Sequence, residues 1–319
     1  AMKRVAIEED SEGSDGNDEA TDAAHVQVDF AKASPAANTA AGASDQEHPQ
    51  DVLLLPSPPP SGTVEIQDWE VVGEGMQDGE AIAVMARMIG SDQRPANISL
   101  ASNSISSTGA SAVLTLVYRS LPNVKSLDLS DNCIGNECDR DMQELLTSHS
   151  LRHLNISMNE ISSLSGWHLP LSACLQTLNI ANNDLGSSAA IDIAAFLSSP
   201  TCALTSLDLS NTGMDALGLG VMAEYLPDNS VLQTLRLDDN NCAEGAALVV
   251  ENSKGLVTLS LRNTGMNDLM AKKMVSALAV SRDSLIQVID CSNNSLCTDI
   301  AKAATKGLKL VKKSAQVIF

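Results

Sequence analysis

The groups that could do chemistry in this chain are scattered, and their spacing fits few catalytic designs. His149 and His153 lie four residues apart, but they straddle a loop and the start of a strand. Two imidazoles placed that way do not converge on one ion as they would from successive helical turns. Cys133 and Cys138 share a loop, and no second cysteine pair stands ready to close a zinc site. Acidic residues number 40, yet no two are paired in an identifiable pocket. The chain contains no G-x-S-x-G, phosphate-binding loop or dinucleotide fingerprint. The expectation is no enzyme, with no catalytic, metal or cofactor residues. What remains is ionic docking chemistry. Its candidates are Arg152, His153, Arg236 and Arg262, and a lysine run at Lys302, Lys306, Lys309, Lys312 and Lys313 that reads as the one basic place on the chain.

The elements that would position these groups come from a repeat. The word LxxLxLxxNxL matches Val124, Leu127, Leu129, Asn132 and Ile134, then Leu151, Leu154, Ile156, Asn159 and Ile161. It returns from Leu175 to Leu185, Leu204 to Met214, Leu232 to Cys242 and Leu256 to Met266. Weaker copies begin at Pro95 and Ile286, making eight. Leucines at positions four and six lie on one face of a short strand, because side chains alternate along extended backbone. The ninth-position amide can pair with buried backbone groups of neighbouring coils. Thr212 and Thr264 take that place in two copies.

On these words the chain resembles the leucine-rich-repeat superfamily over roughly residues 95–300. Successive ninth positions stand 24 to 30 residues apart, and Gly-Ala follows the turn at 109–110 and 245–246. Both features are similar to the ribonuclease-inhibitor subclass. The resemblance implies an α/β curved solenoid of about eight repeats, with parallel strands on the concave side and helices on the convex side. A helix over about 79–90 is expected to cap the first coil, with Ile82, Met85, Ala86 and Ile89 inward. Tyr118 and Leu121, Leu145 and Leu146, Ile193 and Phe196, Met222 and Leu226, and Met274 and Leu278 are the expected inward faces of repeat helices. Trp167 to Pro170 is expected to replace one helix.

Charge divides the chain. The net charge is −20, of which residues 1–80 hold −15, from 18 acidic and three basic residues. With its Ser, Gly and Pro content, 1–62 reads as a disordered acidic tail. Residues 63–94 follow as a cap region, 95–297 as repeats and 298–319 as a basic cap helix and tail. Acidity and only seven aromatic residues disfavour nucleic acid as a partner. No apolar run reaches the ~20 residues of a membrane span. Seven single cysteines and no recognised secretory segment predict small buried thiols in a cytoplasmic protein, with nuclear or ciliary and cytoskeletal pools left open.

The leading functional expectation is a non-catalytic interaction, scaffold or adaptor protein with unidentified protein partners. A second is a small-GTPase regulator, since Ran GTPase-activating proteins look similar in repeat type and carry an acidic segment. A third is a tropomodulin-like cytoskeletal binder. Outside the repeats, Trp69-Glu-Val-Val72 resembles the motif that adds a strand to ubiquitin-like autophagy modifiers, with Trp69 and Val72 as anchors. The competing expectation is that Trp69 covers the first repeat. Lys3-Arg-Val-Ala-Ile7 resembles the protein phosphatase 1 docking motif, with Ile7 where an aromatic is usual.

Overall fold

The computed structural model describes residues 68–91, 94–148, 150–169, 173–281, 284–299, 302–303, 305–306 and 315–319. The expected acidic tail, His149, Pro170, Lys309, Lys312 and Lys313 lie outside the described residues.

Ten short strands pair in parallel, in sequence order, as one sheet. They are β1 (Trp69–Glu70), β2 (Asn97–Ser99), β3 (Ser126–Asp128), β4 (His153–Asn155), β5 (Thr177–Asn179), β6 (Ser206–Asp208), β7 (Thr234–Arg236), β8 (Thr258–Ser260), β9 (Val288–Asp290) and β10 (Gln316–Ile318). The register places leucine on leucine, as in Leu127 opposite Leu154, Leu154 opposite Leu178 and Leu178 opposite Leu207. Fourth- and sixth-position side chains therefore form two continuous buried columns. Such burial stabilises by about 1.5–3 kcal/mol per large aliphatic side chain. The eight repeat words supply β2 to β9. The outer two, β1 and β10, belong to no copy of the word.

The return segments carry α1 (Asp78–Gly90), α2 (Ser107–Ser120), α3 (Asp139–Ser148), α4 (Ala189–Leu197), α5 (Ala216–Tyr225), α6 (Ala246–Asn252) and α7 (Asp268–Val280). Several begin on side chains that satisfy orphan amides. Asp215 accepts from Gly218 N at 2.8 Å, and Asn267 accepts from Leu269 N and Met270 N at 3.0 Å. Helices are about 10 Å across while strands are spaced about 4.8 Å, so the stack bends with its strands inside. Gly245 lets α6 come close to α5, since a Cβ there would sit 3.0 Å from Leu219 Cβ.

After β4 no α-helix forms. A 3-10 turn, Ser165–Trp167, stands in its place, and the buried Trp167 fills the volume a helix would occupy. Some expected faces are rotated. In α1 the buried residues are Ala81, Val84, Met85 and Met88, whereas Ile82 is half-buried and Ala86 exposed. Choosing Ile82 and Ala86 placed the stripe one residue late. In α2, Val113, Leu114 and Val117 face inward and Tyr118 is half-buried. The thiols also divide. Cys138, Cys202, Cys242 and Cys291 are buried, but Cys133, Cys174 and Cys297 are exposed.

Candidate interaction surfaces

Two columns just beyond the strands hold the coils in register. At the ninth position, Asn159 donates from Nδ2 to the carbonyls of Leu129, Ile156 and Ser157 at 3.0–3.1 Å. Its Oδ1 accepts from Ile134 N in the preceding coil at 3.0 Å. Asn132, Asn183, Asn240 and Asn294 repeat this pattern. Thr212 and Thr264 do not reach the preceding coil: they donate to Leu209 O and Leu261 O at 2.8 and 2.9 Å, and Thr264 Oγ1 also stands 3.5 Å from Asn294 Oδ1 of the following coil. At these two junctions the neighbouring eighth-position residues bridge the coils instead. Asn211 donates to Asn182 Oδ1 and Asn263 to Asp239 Oδ1, at 2.9 and 2.8 Å, both at exposed sites.

The eighth position is left-handed in every repeat: Ser102, Asp131, Met158, Asn182, Asn211, Asp239, Asn263 and Asn293 have φ between 50° and 61°. Asn and Asp tolerate this conformation better than other side chains. Met158 has no such advantage, and it is exposed.

The open face of the sheet is lined by small polar side chains, with its cationic candidates in two separate places. Arg152 is exposed just before β4, and His153 sits half-buried within it, with Nδ1 2.8 Å from Thr177 Oγ1. Three strands away, roughly 14 Å at sheet spacing, Arg236 on β7 lies between two carboxylates. Its Nε is 3.2 Å from Asp208 and its Nη2 3.1 Å from Asp238. Asp238 is only 7% exposed at its side chain. It also accepts from Ser260 Oγ at 2.5 Å and from Arg262 N at 2.9 Å. Asp238 thus joins Arg236 to the exposed Arg262 across β7 and β8. Sequence reading found the two arginines and missed both aspartates. The signal was available, since Asp208 and Arg236 occupy the same word position in adjacent copies.

Of the lysine run, Lys302 and Lys306 are described; both are exposed on helical backbone. The chain is basic elsewhere too, because α7 presents exposed Lys272 and Lys273 from the preceding repeat. Trp69 is half-buried against the first coil, within a strand already paired to Ile98 and Ser99, while Val72 is exposed. Using Trp69 and Val72 as a strand-adding motif would take place on a segment that the solenoid itself already holds.

On the helical side, Asp139 is held by Trp167 Nε1 at 2.9 Å. Burial pushes its carboxyl above the ordinary range, opposed by the hydrogen bonds from Trp167 and Asn136. Burial raises the thiols of Cys138, Cys242 and Cys291 to about 12, so they stay protonated and inert at neutral pH. Among the described residues no cluster of three or more His, Cys, Asp or Glu side chains is placed to hold a metal, and no helix is long and apolar enough to cross a membrane.

A family model described as Leucine Rich repeat matches residues 120–137, 147–164 and 172–194. Ribonuclease inhibitor of Sus scrofa is 27% identical over 172 residues, covering 52% of this chain and 37% of the inhibitor. The chain is a leucine-rich-repeat protein, ribonuclease-inhibitor-like in its repeats. Other leucine-rich-repeat relatives are larger. NACHT, LRR and PYD domains-containing protein 3 of Homo sapiens is 27% identical over 73% of this chain and 23% of its own length. Protein phosphatase 1 regulatory subunit 37 homolog of Caenorhabditis elegans is 25% identical over 53% of this chain and 20% of its own length. The leucine-rich-repeat chain thus spans between a fifth and two fifths of these relatives. A solved leucine-rich-repeat protein, LegL7 from Legionella pneumophila, aligns with TM-score 0.46 at 19% identity, over 76% of this chain and 78% of that one.

Proposed function

We propose that this chain is a non-catalytic adaptor that binds a protein partner through the charged part of its open sheet face, with the C-terminal lysines as a second contact. The observation that carries this reading is the Asp208–Arg236–Asp238 cluster. It holds the Arg236 guanidinium between two carboxylates and fixes the backbone amide of Arg262 in the same preorganised patch. Arginine held this way loses little side-chain freedom on docking, which favours it as a binding anchor. The names of the relatives point the same way, since a regulatory subunit and an inhibitor both act through other proteins. Arg152 and His153 form a separate, weaker contact in this reading, and nucleic acid is not a partner.

The test is quantitative affinity purification from the native cell, using the full chain and an Arg236→Glu/Arg262→Glu variant. The reading expects specific partners that the variant loses by about tenfold or more. Equal recovery by both chains would refute it.

A second reading is favoured by one observation, the likeness to a protein phosphatase 1 regulatory subunit. Here Lys3-Arg-Val-Ala-Ile7 recruits a phosphatase catalytic subunit to whatever the solenoid holds. Pull-down of purified protein phosphatase 1 should then depend on Val5 and Ile7. Binding that survives Val5→Ala/Ile7→Ala, or no binding at all, excludes it.

A further inference from the structure

We propose that the groove between α6 and α7 is a docking site for an acidic amphipathic helix of a partner protein. The proposal deepens the adaptor reading by adding a second surface with its own ligand chemistry. The groove has a volume of about 440 Å³ and is lined by Ala247 and Glu251 of α6 and by Lys272, Lys273, Ser276, Ala277 and Val280 of α7. Its floor is alanine, so a side chain can approach closely.

Exposed aliphatic side chains stand at its edge and beside it. Leu269 is 61% exposed and Val280 72%, with Leu248 exposed on α6. Along α7, Leu269, Lys272, Lys273, Ser276 and Val280 follow one stripe at helical spacing. The stripe has an aliphatic residue at each end and two cations between. Leu269 and Val280 are about 16 Å apart along the helix axis, at 1.5 Å per residue. A ligand helix of about three turns matches that span, with aliphatic side chains at both ends and carboxylates between them.

Charge selects the occupant. Among the described residues neither Lys272 nor Lys273 is ion-paired. Both stand exposed beside an apolar floor, where a carboxylate would gain more than it does in open water. An anionic lipid surface would meet the same lysines, but Glu251 on the opposite wall repels it. A peptide can place its carboxylates toward α7 only and leave a neutral or basic side chain facing Glu251. The geometry therefore favours a helix over a membrane.

The experiment selects a phage-displayed library of random peptides, each about 16 residues long, on the immobilised full chain. Synthetic copies of the enriched sequences are then titrated by fluorescence anisotropy against the full chain and two variants. The expected peptides carry paired carboxylates flanked by aliphatics one to two turns away. Lys272→Glu/Lys273→Glu should weaken them about tenfold or more, and exchanging their carboxylates for lysines should restore affinity to that variant. The open-face variant Arg236→Glu/Arg262→Glu should bind them unchanged. The proposal is overturned if no peptide is enriched, or if the charge-reversed chain binds the acidic peptides equally well. It is likewise overturned if only the open-face variant loses them, which would leave the adaptor reading standing. Vesicles containing phosphatidylserine complete the test. Binding to them that Lys272→Glu/Lys273→Glu abolishes, with no peptide selected, would assign the lysines to a membrane instead.

Discussion

A buried asparagine side chain in this solenoid replaces water for two coils at once. Asn159 bonds three carbonyls and one amide inside the stack. Removing it orphans Ile134 N, at about 1–3 kcal/mol for an unsatisfied buried group, and takes one of two donors from each carbonyl, since Asn132, Asn183 and the Asp131 amide still reach Leu129 O, Ile156 O and Ser157 O. Asn159→Ala should therefore cost about 2–4 kcal/mol, and Thr212→Ala, which loses one bond within its own coil, about 1 kcal/mol. Urea unfolding of both variants measures the difference; equal losses would show that the column does not join coils. Met158 gives the opposite case. Its left-handed backbone suits asparagine better, so Met158→Asn should raise stability by about 0.5–1 kcal/mol. An unchanged unfolding midpoint would show that the turn carries no strain.

At the scale of elements, the turn after β4 is the informative irregularity. Trp167 packs where other coils place a helix, and its indole N–H reaches Asp139 on α3. Asp139 has a raised folded pKa, so its contribution to stability is complete below its unfolded value near 3.9 and lost as pH rises through the folded one. Trp167→Phe removes a bond that lowers that pKa. The variant's deficit should then be larger at pH 7 than at pH 4, on top of a pH-independent loss of packing. Denaturation at the two pH values tests it, and a constant deficit would mean that Asp139 is not coupled to the indole.

That irregularity was legible in the sequence because Trp167 and Pro170 interrupt the expected helix spacing. The eight inner strands were legible for a similar reason: burial on one face forces leucine to recur at fixed intervals. Strands β1 and β10 were not, because a terminal strand is covered on one side only and need not carry the whole word. The lysines of α7 escaped notice because only the packing of α6 against α7 makes a groove beside them. The aspartates beside Arg236 were overlooked although register sets equal word positions of adjacent coils side by side, Asp208 next to Arg236.

At the scale of the molecule, stability is a sum of coil interfaces, and the ends are its exposed faces. The last strand covers one such face. Ala315 and Val317 are buried, and Ile318 O accepts from Cys291 N at 2.7 Å. In the full chain, Cys133, Cys174 and Cys297 should react quickly with a thiol reagent, while Cys138, Cys202, Cys242 and Cys291 should react only on unfolding. Deleting residues 315–319 should expose Cys291 to the reagent, leave the other three buried thiols protected, and lower the melting temperature by about 4–8 °C, the shift for ~2 kcal/mol at this size. Mass mapping of the labelled cysteines checks each site, and continued protection of Cys291 would mean that β10 does not cover the last coil.

The two threonine junctions give the solenoid a mechanical character. Between β5 and β6 and between β7 and β8, the side-chain staples of Asn211 and Asn263 lie in water rather than inside the stack. A solvent-side staple can exchange its partner for water at little cost, whereas an internal one must first break the core apart. The β5–β6 junction is therefore the more compliant of the two, because across β7 and β8 the buried Asp238 also accepts from Ser260 Oγ and Arg262 N. A partner gripping the open face on both sides of that junction would bend the molecule there before elsewhere.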